Sequence, residues 1–342
     1  MPKPCSKAQH KVERFEVGQA MNLEPHLEQA LSTLNQAWAG KGWLSLVIDP
    51  MLTEDFCAQG PIQAQLDSTG LEQLIWPIAH VDLPERERPY LLSMQTPAVA
   101  DRVLPLSLQW AWKERSDASP TTTAGRAVSG WVLHHTAPKQ MARSLAQASM
   151  IRKPDGQPWV LRFWDPRVSA HLVRAWPQWH QRFGHLLSSW YHWNLEGTWQ
   201  PWTNLPEYPE KPAAGPSLQA DPSTWQALQR IGTINHLLAW LPHWLVPLQP
   251  HTPQQIDQWL QQAQKLGYSS HRDLSAYVAA CFQCHPEFHR TAHLQQALEP
   301  SSAYKVSLSK VLAAFSEYDW QLIGRQAQAL AATHPSKAHS GE

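Results

Sequence analysis

Over 342 residues, Lys plus Arg and Asp plus Glu number 28 each, so the formal net charge is zero. That balance weighs against a nucleic-acid binder, which needs a basic excess to displace counterions from phosphate. The length suits about two domains, large enough to fold without disulfides or a structural metal.

Two counts stand out, 19 Trp and 18 His. Trp joins a large apolar body to a polar N–H and is enriched at interface hot spots, although many such side chains simply fill cores. The first 20 residues are charged and hold no apolar run of the kind a secretory signal needs. The most apolar window, 234–248, is interrupted by Asn235, His236, Pro242, His243 and Pro247 and falls short of a membrane span. Cys5, Cys57, Cys281 and Cys284, without an export signal, read as reduced thiols. The expectation is a cytoplasmic protein with no stable membrane insertion.

In chain order, Leu27, Ala30, Leu31, Leu34 and Trp38 recur at helical spacing and predict an amphipathic helix. The apolar run 43–49, ending before Pro50, predicts a buried strand, and 88–94 and 129–134 predict two more. Thr136 is placed to cap a helix with Pro138 in its first turn and Met141, Leu145 and Ala148 turned inward. Residues 149–153 and 159–164, around Pro154-Asp155-Gly156, predict a hairpin. Strands mixed with helices imply an α/β domain over 1–203.

Residues 204–222 are proline-rich and predict a linker. Beyond it the pattern is helical. One stripe runs through Trp225, Leu228, Ile231, Ile234, Leu238 and Leu241, a second through Ile256, Trp259, Leu260 and Ala263. Leu274, Tyr277, Val278, Cys281 and Phe282 make a third, and a last helix is expected from Leu308 to about Ala332. These predict an all-α bundle over 223–335, with 336–342 as a disordered tail.

The hairpin leads into Arg162-Phe163-Trp164-Asp165-Pro166-Arg167-Val168. Physically this is a helix start: Asp165 can accept from the first free N–H groups, and Pro166 suits the first helical position. The run, following Pro154-Asp155-Gly156 and a Gly130-Trp131-Val132-Leu133 strand, resembles the adaptor domain of type VI secretion effector loaders. Members of that family end a hairpin in Phe-Arg-Phe/Tyr-Tyr/Trp-Asp-Pro-Arg-Val. The resemblance is strong over 128–170 and weaker over about 40–200, where Leu46-Val47-Ile48-Asp49-Pro50 also fits. One departure is Ser144-Leu145-Ala146, where the family carries His-Leu-Arg.

The resemblance implies a cytosolic, non-catalytic chaperone that binds the N-terminal region of an effector and the spike protein VgrG, with no cofactor. Partner-binding residues expected from it and from the Trp-rich window are Arg162, Trp164, Asp165, Pro166, Arg167, Trp240 and Trp244. Two other readings stand beside it. One is a metal-binding enzyme using Cys281, Cys284, His285 and His289, whose Cys-x-x-Cys-His spacing also matches a haem-attachment pattern. The other is a structural component of the secretion apparatus. No Walker loop, dinucleotide glycine box or Gly-x-Ser-x-Gly elbow occurs.

Overall fold

The computed structural model describes residues 23–39, 42–52, 74–78, 83–85, 88–116, 127–176, 179, 187–194, 197–201, 219–240, 252–299 and 307–333. Helix α1 (Pro25–Trp38) begins at a proline, whose missing donor costs nothing there, and stops at Ala39 in the left-handed conformation. Strands β1 (Trp43–Ile48), β2 (Ile75–Pro77) and β3 (Tyr90–Met94) precede α2 (Pro97–Ser116) and β4 (Val128–His134). Helix α3 (Pro138–Ser149) runs directly into the hairpin β5 (Met150–Arg152) and β6 (Pro158–Val160). Then come α4 (Pro166–Ala175), β7 (Leu187–Trp193) and β8 (Trp199–Pro201). The described remainder is helical: α5 (Pro222–Trp240), α6 (Thr252–Lys265), α7 (His271–Gln283), α8 (Ala292–Leu298), α9 (Leu308–Ala313) and α10 (Glu317–Thr333). A mixed α/β region followed by helices is the class the sequence predicts.

Six strands form one antiparallel sheet in the order β2-β3-β1-β4-β7-β8. The period of two along β1 sends Leu44, Leu46 and Ile48 to one face, against α1 and α2, and Val47 to the other, with α3, α4 and the hairpin. Both faces are covered, and all seven residues of β4 are buried. The edge strands β2 and β8 have three residues each and end in Pro77 and Pro201, which lack the donor a further strand needs.

Ser45, Ser93 and His134, buried on three adjacent strands, pair with one another. Ser45 Oγ lies 2.7 Å from Ser93 Oγ and 2.7 Å from His134 Nε2, and His134 Nδ1 lies 2.7 Å from the Thr136 carbonyl. Since a carbonyl only accepts, Nδ1 carries the proton, and Nε2 accepts from Ser45. The neighbouring Gly130 has no room for a side chain. A Cβ there would collide with Trp190 Nε1 and lie 2.7 Å from the Tyr191 carbonyl oxygen. Gly130→Ala is expected to cost about 1–3 kcal/mol through overpacking, read as a lowered thermal midpoint.

Helix α5 belongs to two cores. Leu228 and Ile231 pack in the second core, with α3 and α4, whereas Ile234 and Leu237 pack with α6 and α7. Arg230 of α5 donates to Asp257 of α6 at 2.6 Å and to Gln264 at 3.2 Å. Most of the expected linker, residues 204–218, lies outside the described residues, as does the tail.

The structure corrects several local expectations. β6 ends at Val160 rather than continuing to Trp164. The N-cap of α3 is Ala137, one residue beyond Thr136, and no side chain caps it. The last helix is two. Ser316 and Asp319 exchange hydrogen bonds of 2.8 and 3.3 Å in a capping box, which starts α10 afresh. Helices α2 and α8 and strands β2, β7 and β8 were not anticipated.

Candidate functional site

After Val160 the backbone tightens. The Phe163 N–H donates to the Leu161 carbonyl at 2.9 Å and the Asp165 N–H to the Arg162 carbonyl at 3.0 Å. Helix α4 then starts as its sequence demands, with Asp165 as N-cap accepting from the Arg167 N–H at 2.9 Å and Pro166 in the first turn. The Arg167 side chain folds back onto the same carboxylate, with Nη2 2.9 Å from Oδ2 and Nε 3.2 Å from Oδ1. Asp165 is buried, and the Arg167 side chain keeps 20% of its surface exposed.

The other half of the box reaches across to β1. Asp49, the residue after that strand, is completely buried. Its carboxylate accepts from the Trp164 indole N–H at 2.8 Å, from the Met51 N–H at 3.1 Å and from Arg162 Nη1 at 3.2 Å. Burial pushes its pKa up, against the downward pull of Arg162 and of the Trp164 and Met51 hydrogen bonds. Phe163 supports the assembly from within, its ring 5.1 Å from Trp164, 4.9 Å from Trp179 and 6.1 Å from Trp190. From α5, Asn235 Nδ2 donates to the Arg167 carbonyl at 3.2 Å. The junction therefore ties β1, the hairpin, α4 and α5 together.

Of the residues singled out in the sequence, Arg162, Trp164, Asp165, Pro166 and Arg167 converge here. Trp164, Asp165 and Pro166 are buried, whereas the side chains of Arg162 and Arg167 keep 26% and 20% of their surface exposed. Trp240 ends α5, and Trp244 lies outside the described residues. Asp49 was missed as a site residue. Its signal was the strand end Ile48-Asp49-Pro50, a carboxylate following an otherwise apolar run.

The residues of the metal-binding alternative, Cys281, Cys284, His285 and His289, are not brought together as a ligand group in the structure. Among the described residues no three or more His, Cys, Asp or Glu side chains are grouped to hold a metal ion. Pro286 ends the helical path and turns His285 into a cap, its Nδ1 accepting from the Glu287 N–H at 3.0 Å. His289 Nδ1 sits 2.9 Å from the Tyr277 hydroxyl and 3.1 Å from the Pro286 carbonyl. Cys281 is buried in α7, where burial raises its thiol pKa far above the ordinary range. Burial likewise raises that of Cys284, whose Sγ points toward the Trp320 carbonyl at 3.9 Å.

These features define a class: an α/β domain whose Asp-Pro-Arg helix start is locked to a strand end by a buried Asp–Arg–Trp cluster, followed by helices. Residues 53–182 match the family model of a domain of unknown function, DUF4123. The matched stretch contains β2 to α4 and the whole 162–168 box. No curated protein and no solved structure matches the chain. No helix among the described residues is long and apolar enough to cross a membrane.

Proposed function

We propose that this protein is a cytosolic adaptor that binds a type VI secretion effector through the effector's N-terminal region, loads it onto the VgrG spike and catalyses nothing itself. The observation that carries this reading is the DUF4123 match over 53–182, which falls on the same residues as the box resembling the effector loaders. The geometry supports it. Both carboxylates of the junction are saturated by hydrogen bonds, so the site supplies neither a free base nor a nucleophile, but it holds two arginines in fixed positions at a partly open surface.

The reading predicts that the full-length protein, tagged and isolated from a host that secretes by this route, retains an effector and VgrG without added nucleotide or metal. Retention of neither partner overturns it. A second result concerns the junction. Asp165→Ala loses a cap worth about 1 kcal/mol and also leaves the partly buried Arg167 guanidinium without its carboxylate, so its stability is expected to fall by more than the cap alone. Arg167→Glu is expected to lower effector retention by more than its thermal melt explains. Binding losses that track the melts alone would assign the junction to scaffold only.

A further inference from the structure

The hairpin has one paired side and one side that no described residue pairs. The Lys153 N–H bonds to the Gln157 carbonyl at 2.9 Å and the Leu161 N–H to the Ser149 carbonyl at 2.8 Å, bracketing the register pair Ile151 and Trp159. In an antiparallel ladder that phase turns the backbone groups of Pro158 and Val160 away from β5. The corresponding outward group of β5 is already used: the Arg152 carbonyl accepts from the Ala220 N–H at 2.8 Å, and Gln219 bridges alongside. On the β6 side no described residue meets the Pro158 carbonyl, the Val160 N–H or the Val160 carbonyl. Acceptor, donor, acceptor is the set an added strand pairs with.

The side chains beside this edge have a definite chemistry. Trp159 is 37% exposed and meets Trp225 edge-on at 4.9 Å. Lys153 Nζ lies 5.9 Å from the Trp225 ring centre and 3.3 Å from Gln157 Oε1, with no carboxylate among its partners. The surrounding sequence has the same sign. Between residues 127 and 176 the chain carries Lys139, Arg143, Arg152, Lys153, Arg162, Arg167 and Arg174 against Asp155 and Asp165, and of these Arg162 and Arg167 are already ion-paired with Asp49 and Asp165.

We propose that the β6 edge binds an extended protein segment as an added strand, with an apolar side chain against Trp159 and an acidic one toward Lys153. For the identity of the partner, an effector segment, this rests on the adaptor reading. The recognition chemistry stands on the hairpin alone.

The test uses the full chain and short synthetic peptides of alternating β-branched and Glu residues, with a matched series carrying Lys for Glu. The Glu series is expected to bind at least about tenfold more tightly, and Lys153→Glu to reverse that order. Val160→Pro, which removes the outward donor, and Trp159→Ala are each expected to weaken binding about tenfold or more. N-methylation of the peptide on alternate residues should abolish binding in one phase and spare it in the other, a readout that needs no altered protein. Equal binding of both series, or indifference to the methylation phase, overturns the proposal. Self-association of the unmodified chain that Val160→Pro abolishes would identify a second copy as the occupant and overturn it too. If the effector still co-purifies with a folded Val160→Pro variant, the edge proposal fails while the adaptor reading stands. If the Glu peptides bind but no effector is ever retained, the adaptor reading fails while the edge proposal stands.

Discussion

Asp49→Ala is expected to destabilise the protein by about 3–5 kcal/mol, because it leaves the Arg162 charge and the Trp164 indole N–H without their common acceptor. Arg162→Met removes the other partner, but its effect depends on pH. Asp49 has a folded pKa above its ordinary value, so the native state holds this proton more tightly than the unfolded chain does. Its ionisation therefore counts against folding as pH rises through the folded pKa. Without Arg162 that penalty grows. The Arg162→Met defect is thus largest at neutral pH and shrinks on acidification, while the Asp49→Ala defect has no such relief from this group. Urea unfolding followed by tryptophan fluorescence from pH 7 down to pH 4 separates the two variants. An Arg162→Met defect that stays constant over that whole range would contradict the account of the cluster.

Acid is expected to destabilise the protein between about pH 6.5 and 4, at a cost of about 3 kcal/mol for each of two histidines. Burial is the first cause in both, lowering His134 and His171 to about 4 in the folded state. The unfolded chain takes up these protons first, so their stabilising contribution is complete above the ordinary pKa of 6.5. It declines as pH falls toward 4 and levels off below. The two sites differ in what they offer. His134 must stay neutral to accept from Ser45. His171 on α4 is buried with Nε2 lacking a hydrogen-bond partner, while Arg174 pushes its pKa down and Asp257 and Asn235 pull it up. His171→Phe is therefore expected to remove about half of the acid loss. Thermal midpoints across this pH range measure both effects. An unchanged acid profile in His171→Phe would refute the assignment.

Where local pattern and packing agree, the sequence was legible. The stripe Leu274, Tyr277, Val278 and Cys281 is the buried face of α7, and Leu27, Ala30, Leu34 and Trp38 that of α1. The hairpin and the Asp165 cap were readable because turn and cap chemistry is local. Helix α2 was hidden by Pro105, which interrupts a run whose Ala100, Val103, Leu104, Leu108 and Ala111 are nonetheless buried at helical spacing. Strand β7 mixes Ser, Trp, Tyr and His, so no apolar alternation marks it. The break between α9 and α10 was present as Ser316-x-x-Asp319 and was overridden by the surrounding apolar periodicity. The pairing of Asp49 with Arg162 spans 113 positions, and nothing local to either residue points to the other.

That pairing changes the meaning of the box. Its carboxylate and indole are turned inward to hold the fold, while its guanidinium edges and the neighbouring hairpin face outward. On the proposed adaptor reading, recognition in this region is assigned to Arg162, Arg167 and the β6 edge, with Trp164 and Asp165 as their support.

The central claim is that this chain places an effector on the spike. The direct measurement isolates tagged VgrG from cells with and without this chain and quantifies the bound effector. The account predicts that the effector is absent from VgrG when the chain is missing and returns when it is restored, with VgrG and effector levels unchanged in the cells. Effector bound to VgrG equally well without the chain would contradict it.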